Sequence, residues 1–214
     1  MAPKINPNAE PIKLKISLDD MPYPLYRTCL VAENISMERL HHIIQNIMMW
    51  DQFDSYLFLN DKSKPKFGVG PSNAKVNLEK GKMSTPTRTY LKKKFMDNNN
   101  CSPFYYFYYR PQSEWWHTIT FEEITPEDRK IFKGRSILLE SSGNCPPDEV
   151  GGPEGFRSFL EIVDNPGHPL NKYLRELATW NLHNVDPQLL DYDDLNSLQE
   201  YLTEYEDELF EVYE

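Results

Sequence analysis

From Ile12 to Leu18 the chain alternates without a break. Ile12, Leu14, Ile16 and Leu18 fall on one side, and Lys13, Lys15 and Ser17 on the other. Successive side chains of a β-strand point to opposite faces, so this pattern predicts a half-buried strand. Met21-Pro22-Tyr23-Pro24 interrupts it, and Leu25 to Ala32 reads as a second strand pairing back as a hairpin. Ser36 then stands where a helix N-cap belongs, its hydroxyl able to accept from an amide of the first turn. Met37, Leu40, Ile43, Ile44, Ile47 and Met48 recur at three- and four-residue steps, one apolar stripe ending near Trp50. Tyr56 to Leu59 reads as the next strand. Strand, strand, helix, strand predicts an α+β fold in which the helix covers one face of a small mixed or antiparallel sheet.

The second half repeats the logic. Phe104 to Tyr109 and Trp115 to Glu122 read as strands joined by Arg110-Pro111-Gln112-Ser113-Glu114. On the latter, Trp115, His117, Ile119 and Phe121 share one face; Trp116, Thr118, Thr120 and Glu122 share the other. Arg135 to Glu140 predicts a further strand, and Asn144 to Gly155 a Pro/Gly-rich loop. Helices are expected through Phe156, Phe159, Leu160 and Val163, then through Leu170, Tyr173, Leu174 and Leu177. A last helix starting near Asp193 carries Leu195, Leu198, Leu202 and Tyr205. With 214 residues and 39% hydrophobic content, there is material for a buried core rather than a disordered chain. The expected organisation is a single domain over 1–214, with its core at about 12–180 and an acidic helical segment at about 181–214.

Charge is unevenly placed. From Glu176 onward there are twelve acids and no Lys or Arg, whereas Lys62 to Lys94 holds ten bases against one acid, Glu79. Either the two regions merely solvate the surface or neutralise each other, or the basic stretch binds an anion. Lys80, Lys82, Arg88, Lys92, Lys93 and Lys94 are the polyanion-binding candidates, and the acidic tail is then expected to shield them. The net charge of −10 opposes long-range attraction to nucleic acid. Three widely spaced cysteines (Cys29, Cys101, Cys145), no secretory leader and no long apolar run predict a cytoplasmic protein away from membranes.

Asn144-Cys145-Pro146-Pro147-Asp148-Glu149-Val150-Gly151-Gly152-Pro153, followed by Gly155-Phe156, is the most specific stretch. It resembles the C-P-P-E-D-x-G-G-P-x-G-Y signature of the Ri-plasmid third-open-reading-frame family. Leu14-Lys15-Ile16 with Pro24-Leu25-Tyr26-Arg27, Met48-Met49-Trp50, Trp115-Trp116-His117 and His168-Pro169 are similar to further landmarks, in the same order. The resemblance spans roughly 12–200. It implies an α+β fold and no established activity; some similar proteins carry the label TnpR resolvase or transposon passenger. Where relatives have Y-D-F-G-D, this chain reads Tyr109-Arg110-Pro111-Gln112-Ser113, so both aspartates are replaced.

No catalytic or metal-binding constellation is legible, and no cofactor is expected. His117, beside Trp115 on its strand face, is a candidate for chemistry, since imidazole titrates near neutral pH; it also reads as a hydrogen-bonded histidine at the edge of an aromatic core. Cys145 could be a nucleophile or soft ligand, but it reads rather as a small buried apolar residue, with Asp148 and Glu149 expected to raise its pKa. Trp115, His117, Cys145, Asp148, Glu149 and Arg27 form the candidate binding set. The leading expectation is a non-enzymatic binding or adaptor domain for a protein or an anionic polymer such as nucleic acid. The alternatives are a metal-dependent or hydrolytic enzyme using His117 and the Cys145 loop, and a DNA-associated mobile-element accessory protein.

Overall fold

The alternation at the N-terminus does form a strand, and it is one of eight. The computed structural model describes residues 6–50, 55–72, 74, 82–97, 102–147, 149–175 and 195–211. In chain order the elements are β1 (Pro11–Leu18), β2 (Tyr26–Ala32), α1 (Met37–Ile47), β3 (Tyr56–Leu59), β4 (Gly68–Val69), β5 (Met83–Ser84), β6 (Phe104–Arg110), β7 (Ser113–Glu122), α2 (Pro126–Ile131), β8 (Ile137–Ser142), α3 (Gly152–Val163) and α4 (Leu195–Glu211). They build one mixed sheet in the order β5-β4-β3-β6-β7-β1-β2-β8, antiparallel except where β4 meets β5.

The fold is α+β as expected, but the sheet is larger than the small one predicted. The extra strands come from the basic stretch, where β4 and β5 are only two residues long and leave no period to read. The same stretch closes with a π-helical segment, Lys92–Asp97, that buries Phe95. α2 was also unexpected, although Thr125 caps it in a reciprocal box with Asp128. The β6–β7 connection is tighter than predicted. Arg110 pairs with Ser113, leaving Pro111-Gln112 as a two-residue turn, with Gln112 at φ 68°. β8 begins two residues later than expected, because the Ser136 amide bonds to Glu206 and the strand is entered from there. The expected start of the last helix at Asp193 lies outside the described residues.

The inner face of the sheet holds the core. Ile12, Leu14, Ile16 and Leu18 of β1 meet Phe104, Tyr106 and Tyr108 of β6 and Trp115, His117 and Ile119 of β7. α1 lays its stripe over them, and Phe156, Phe159 and Val163 of α3 and Leu198 and Leu202 of α4 complete the layer. On the outer face α2 and its flanks gather a smaller cluster around Ala9, Leu30 and Phe132. α4 is held by polar bonds as well as by leucines. Glu206, 1% exposed, pairs with Arg39 at 2.6 Å and accepts from the Ser136 amide at 3.1 Å, while Gln199 accepts from the Leu138 amide at 2.7 Å. These bonds satisfy amides along the sheet edge that β8 would otherwise leave open.

Candidate functional site

Most of the predicted binding set is built into the frame that holds the Pro/Gly loop. Arg27 lies on β2, 2% exposed, next to the C-terminus of α1. Its Nε donates to the Ile47 carbonyl at 3.0 Å, and its Nη1 donates to the carbonyls of Tyr26, Ser142 and Gly143 at 2.9, 2.9 and 3.0 Å. Oriented carbonyls and the negative end of a helix dipole thus surround the buried guanidinium. No basic residue stands in the last turn of α1, so Arg27 supplies that cation from another strand. Nη2 reaches Cys145 Sγ at 3.4 Å, and that thiol lies 3.1 Å from Met48 Sδ. Burial pushes the Cys145 thiol pKa up, and Arg27 only partly opposes this. The thiol is therefore protonated near neutral pH, and burial rather than the neighbouring acids is the cause.

The loop is pinned twice more. Trp50 Nε1 donates to the Pro146 carbonyl at 2.7 Å, and Arg110 pairs with Glu149 at 2.8 Å. The Gly152 amide, at the start of α3, donates to Ser113 Oγ at 3.2 Å. Arg110 and Ser113 stand where similar proteins have aspartates, and both hold the loop. Gly152 has φ 70°, and a Cβ there would sit 3.0 Å from the Glu114 carbonyl oxygen. At Gly155 a Cβ would overlap the Val150 carbonyl. Close backbone approach therefore demands glycine at 152 and 155, and a φ of 94° favours it at Gly151. Asp148 lies outside the described residues.

Trp115 and His117 face inward and are 0% exposed. Trp50 contacts both, at ring-centroid distances of 5.5 and 5.4 Å. The His117 ring lies within the core rather than at its edge, and its nitrogens make no well-formed hydrogen bond beyond a weak approach to the Tyr106 backbone. Burial pushes its pKa down to about 3, against an opposing pull from the Tyr106 backbone. Such a ring is out of a substrate's reach. Among the described residues, no group of three or more His, Cys, Asp or Glu is placed to hold a metal ion.

The basic candidates do different things. Lys92 pairs with Glu33 at 2.5 Å, and Lys94 lies over the Phe67 ring at 4.3 Å. Lys82, Arg88 and Lys93 are exposed, and Lys80 lies outside the described residues. In the tail, Glu206 and Asp207 engage Arg39 and Arg135, neither of which belongs to the basic stretch.

What the candidate set missed is the outer face. Tyr105, Phe107, Tyr109 and Trp116 are half-buried, unlike their inward neighbours. Phe107 stacks on Trp116 with centroids 4.4 Å apart and on Tyr109 at 5.0 Å. Lys62 Nζ lies 5.1 Å from the Tyr105 centroid and 5.6 Å from that of Trp116, while its charge is paired with Asp19 at 2.8 Å. The signal for this strip was present: period-two alternation already set Trp116 opposite Trp115.

Comparison with known proteins agrees with this architecture. A crystal structure of a protein of unknown function, MM3350 from Methanosarcina mazei Go1, superposes with a TM-score of 0.64. It is 22% identical, the match covering 83% of this chain and 92% of that one, which shows a shared fold. The uncharacterized protein y4hQ of Sinorhizobium fredii (strain NBRC 101917 / NGR234) is 28% identical over 166 residues, 75% of this chain and 76% of the relative. Residues 10–194 match the family model described as plasmid pRiA4b ORF-3-like protein. The chain belongs to the plasmid pRiA4b ORF-3-like family.

Proposed function

We propose that this chain is a non-enzymatic binding domain, working in the cytoplasm as an adaptor, that docks a partner protein on the outer face of its sheet. The observation that carries this reading is the half-buried aromatic strip of Tyr105, Phe107, Tyr109 and Trp116. Stacked aromatic rings offer large contact area with few rotamers to freeze, which is why Trp and Tyr dominate binding hot spots. The lysine over the strip favours a protein over a polyanion. Lys62 is paired with Asp19, so its charge is compensated there. The chain as a whole carries −10.

One observation favours a second reading. Lys62 sits over two rings of the strip, the arrangement on which unstacked bases of single-stranded nucleic acid lie. That reading also suits the transposon-passenger label of some similar proteins. A single experiment separates the two. Wild type, a Phe107→Ser/Trp116→Ser double variant and a Glu127→Ala control on α2 are used to capture partners from a native extract, and the captured protein is reconstituted pure. A partner kept by wild type and control but lost by the double variant supports the protein reading. Tight binding of single-stranded oligonucleotide, weakening steeply with salt, would replace it with the nucleic-acid reading.

A further inference from the structure

The aromatic strip ends on a carboxylate. Asp19 directly follows β1, and its backbone amide donates to the Trp116 carbonyl at 2.9 Å. Phe107 and Trp116 are cross-strand partners, so Phe107, Trp116 and Asp19 lie in one row across β6, β7 and the end of β1. The carboxylate is held in place, because Asp19 Oδ1 accepts from Thr118 Oγ1 at 2.8 Å. It also stays accessible, with 18% of the Asp19 side chain exposed. A positioned carboxylate beside aromatic rings is a site for a cation, since ion pairing and the ring quadrupoles attract it in the same sense.

The structure already places a cation there. Lys62 Nζ donates to Asp19 Oδ2 at 2.8 Å and lies 5.1 and 5.6 Å from the Tyr105 and Trp116 centroids. Those distances are near the outer limit of a cation–π contact. Lys62 comes from the turn after β3, where Asp61 Oδ1 accepts from the Ser63 and Lys64 amides, both at 2.8 Å. The turn is pinned, but the Lys62 side chain itself is 38% exposed. An exposed ion pair contributes little and is screened by salt, so Lys62 holds this position loosely. Arg157 also reaches the turn after β1, but it donates to the Asp20 carbonyl rather than to the Asp19 carboxylate.

The chemistry of the position favours an arginine over the lysine that fills it. A guanidinium is planar, so it can lie against the ring that Lys62 now covers while its edge N–H groups bond to the carboxylate. An ammonium is a point charge and cannot do both equally well. Asp19 has capacity for the exchange, because Oδ1 accepts from Thr118 and Oδ2 from Lys62, and each oxygen can accept a second bond. The chain's charge of −10 also attracts a basic segment. An acidic segment would meet the carboxylate with like charge, and an apolar one would gain nothing from it.

We propose that the partner protein presents an arginine that displaces Lys62 from Asp19 and stacks on Trp116, an inference that rests on the docking role of the outer face. Full-length ¹⁵N-labelled protein is titrated with acetyl-Leu-Arg-Leu-amide and with its citrulline counterpart, which keeps the planar group but not the charge. The Trp116 indole N–H and the Thr118 amide are followed by NMR. The arginine peptide should shift both signals saturably at millimolar concentration, with the citrulline peptide weaker by about fivefold or more, the worth of one charge-assisted contact. Lys62→Ala removes the competing cation and should tighten the arginine peptide by about threefold, a gain that misfolding cannot produce. Asp19→Asn keeps an oxygen for the Thr118 hydroxyl and should lower the arginine peptide to the citrulline level. The proposal is overturned if neither peptide shifts Trp116, if both bind alike, or if Lys62→Ala brings no gain. Partner capture separates this inference from the docking reading. Capture kept by Asp19→Asn but lost by Phe107→Ser/Trp116→Ser overturns the arginine contact and leaves the docking face standing. Capture kept by both variants removes the docking face and the arginine contact with it.

Discussion

Replacing His117 by leucine should remove a large part of the acid sensitivity of this fold while leaving neutral stability almost untouched. In the folded chain, burial pushes the imidazole pKa from its ordinary 6.5 down to about 3. The unfolded chain takes up a proton near 6.5, so between the two values the unfolded state binds more protons. Stability therefore rises with pH across that window and is lost as pH falls from 6.5 towards 3. At pH 5 the unfolded state gains about 1.5 pH units of proton binding, worth about 2 kcal/mol at 1.36 kcal/mol per unit. His41, held down to about 2 chiefly by burial, adds a similar amount. With a urea m-value of about 2 kcal/mol/M, His117→Leu should narrow the gap between midpoints at pH 7.5 and pH 5 by about 1 M. At pH 7.5 the variant should lie within about 1 kcal/mol of wild type, because exchanging a poorly bonded polar group for an apolar one of similar size costs little. Urea melts read by tryptophan fluorescence measure both quantities. An unchanged gap would mean that the ring titrates freely, and a loss above about 3 kcal/mol at pH 7.5 would mean that it makes bonds the structure does not show. Either result refutes the reasoning.

Other substitutions probe the frame. Arg27→Met should cost about 3 kcal/mol or more in thermal or urea melts, since it strips donors from several buried carbonyls; Arg27→Lys should recover only part of that, because an ammonium cannot span the fork. Gly155→Ala should abolish soluble folded protein, while Gly167→Ala, whose nearest neighbour to a new Cβ is a flexible Asn165 side chain at 3.4 Å, should be within about 0.5 kcal/mol of wild type. Glu206→Ala should cost about 3 kcal/mol and raise amide exchange at Ser136 and Leu138, as α4 loosens from β8.

How much of this was legible depends on the reach of each interaction. β1, β6 and β7 were readable because each carries a two-residue period, and α1 because its stripe runs for three turns, whereas β2 and β3 are continuously buried and read as strands without one. β4 and β5 have two residues each, and they become strands only because the sheet is already there to pair with. The Pro/Gly signature was visible, but its purpose was not. Arg27 meets its partners at Ile47, Ser142 and Gly143, residues 20, 115 and 116 positions away, and no local pattern encodes such meetings. The stack of His41 on Tyr56 and its bond to Tyr106 exist only once β3 and β6 lie under α1.

The claim on which the account turns is that the outer aromatic face, rather than the Cys145 loop or the basic stretch, meets the partner. Site-specific photo-cross-linking in cells tests it directly, with a benzophenone amino acid placed at Phe107, Lys93 or Glu149 in turn. The account predicts a discrete protein adduct from position 107 that is lost when Trp116→Ser is added, and no such adduct from the other two positions. Adducts from position 93 or 149 with none from 107, or adducts to nucleic acid at 107, would contradict it.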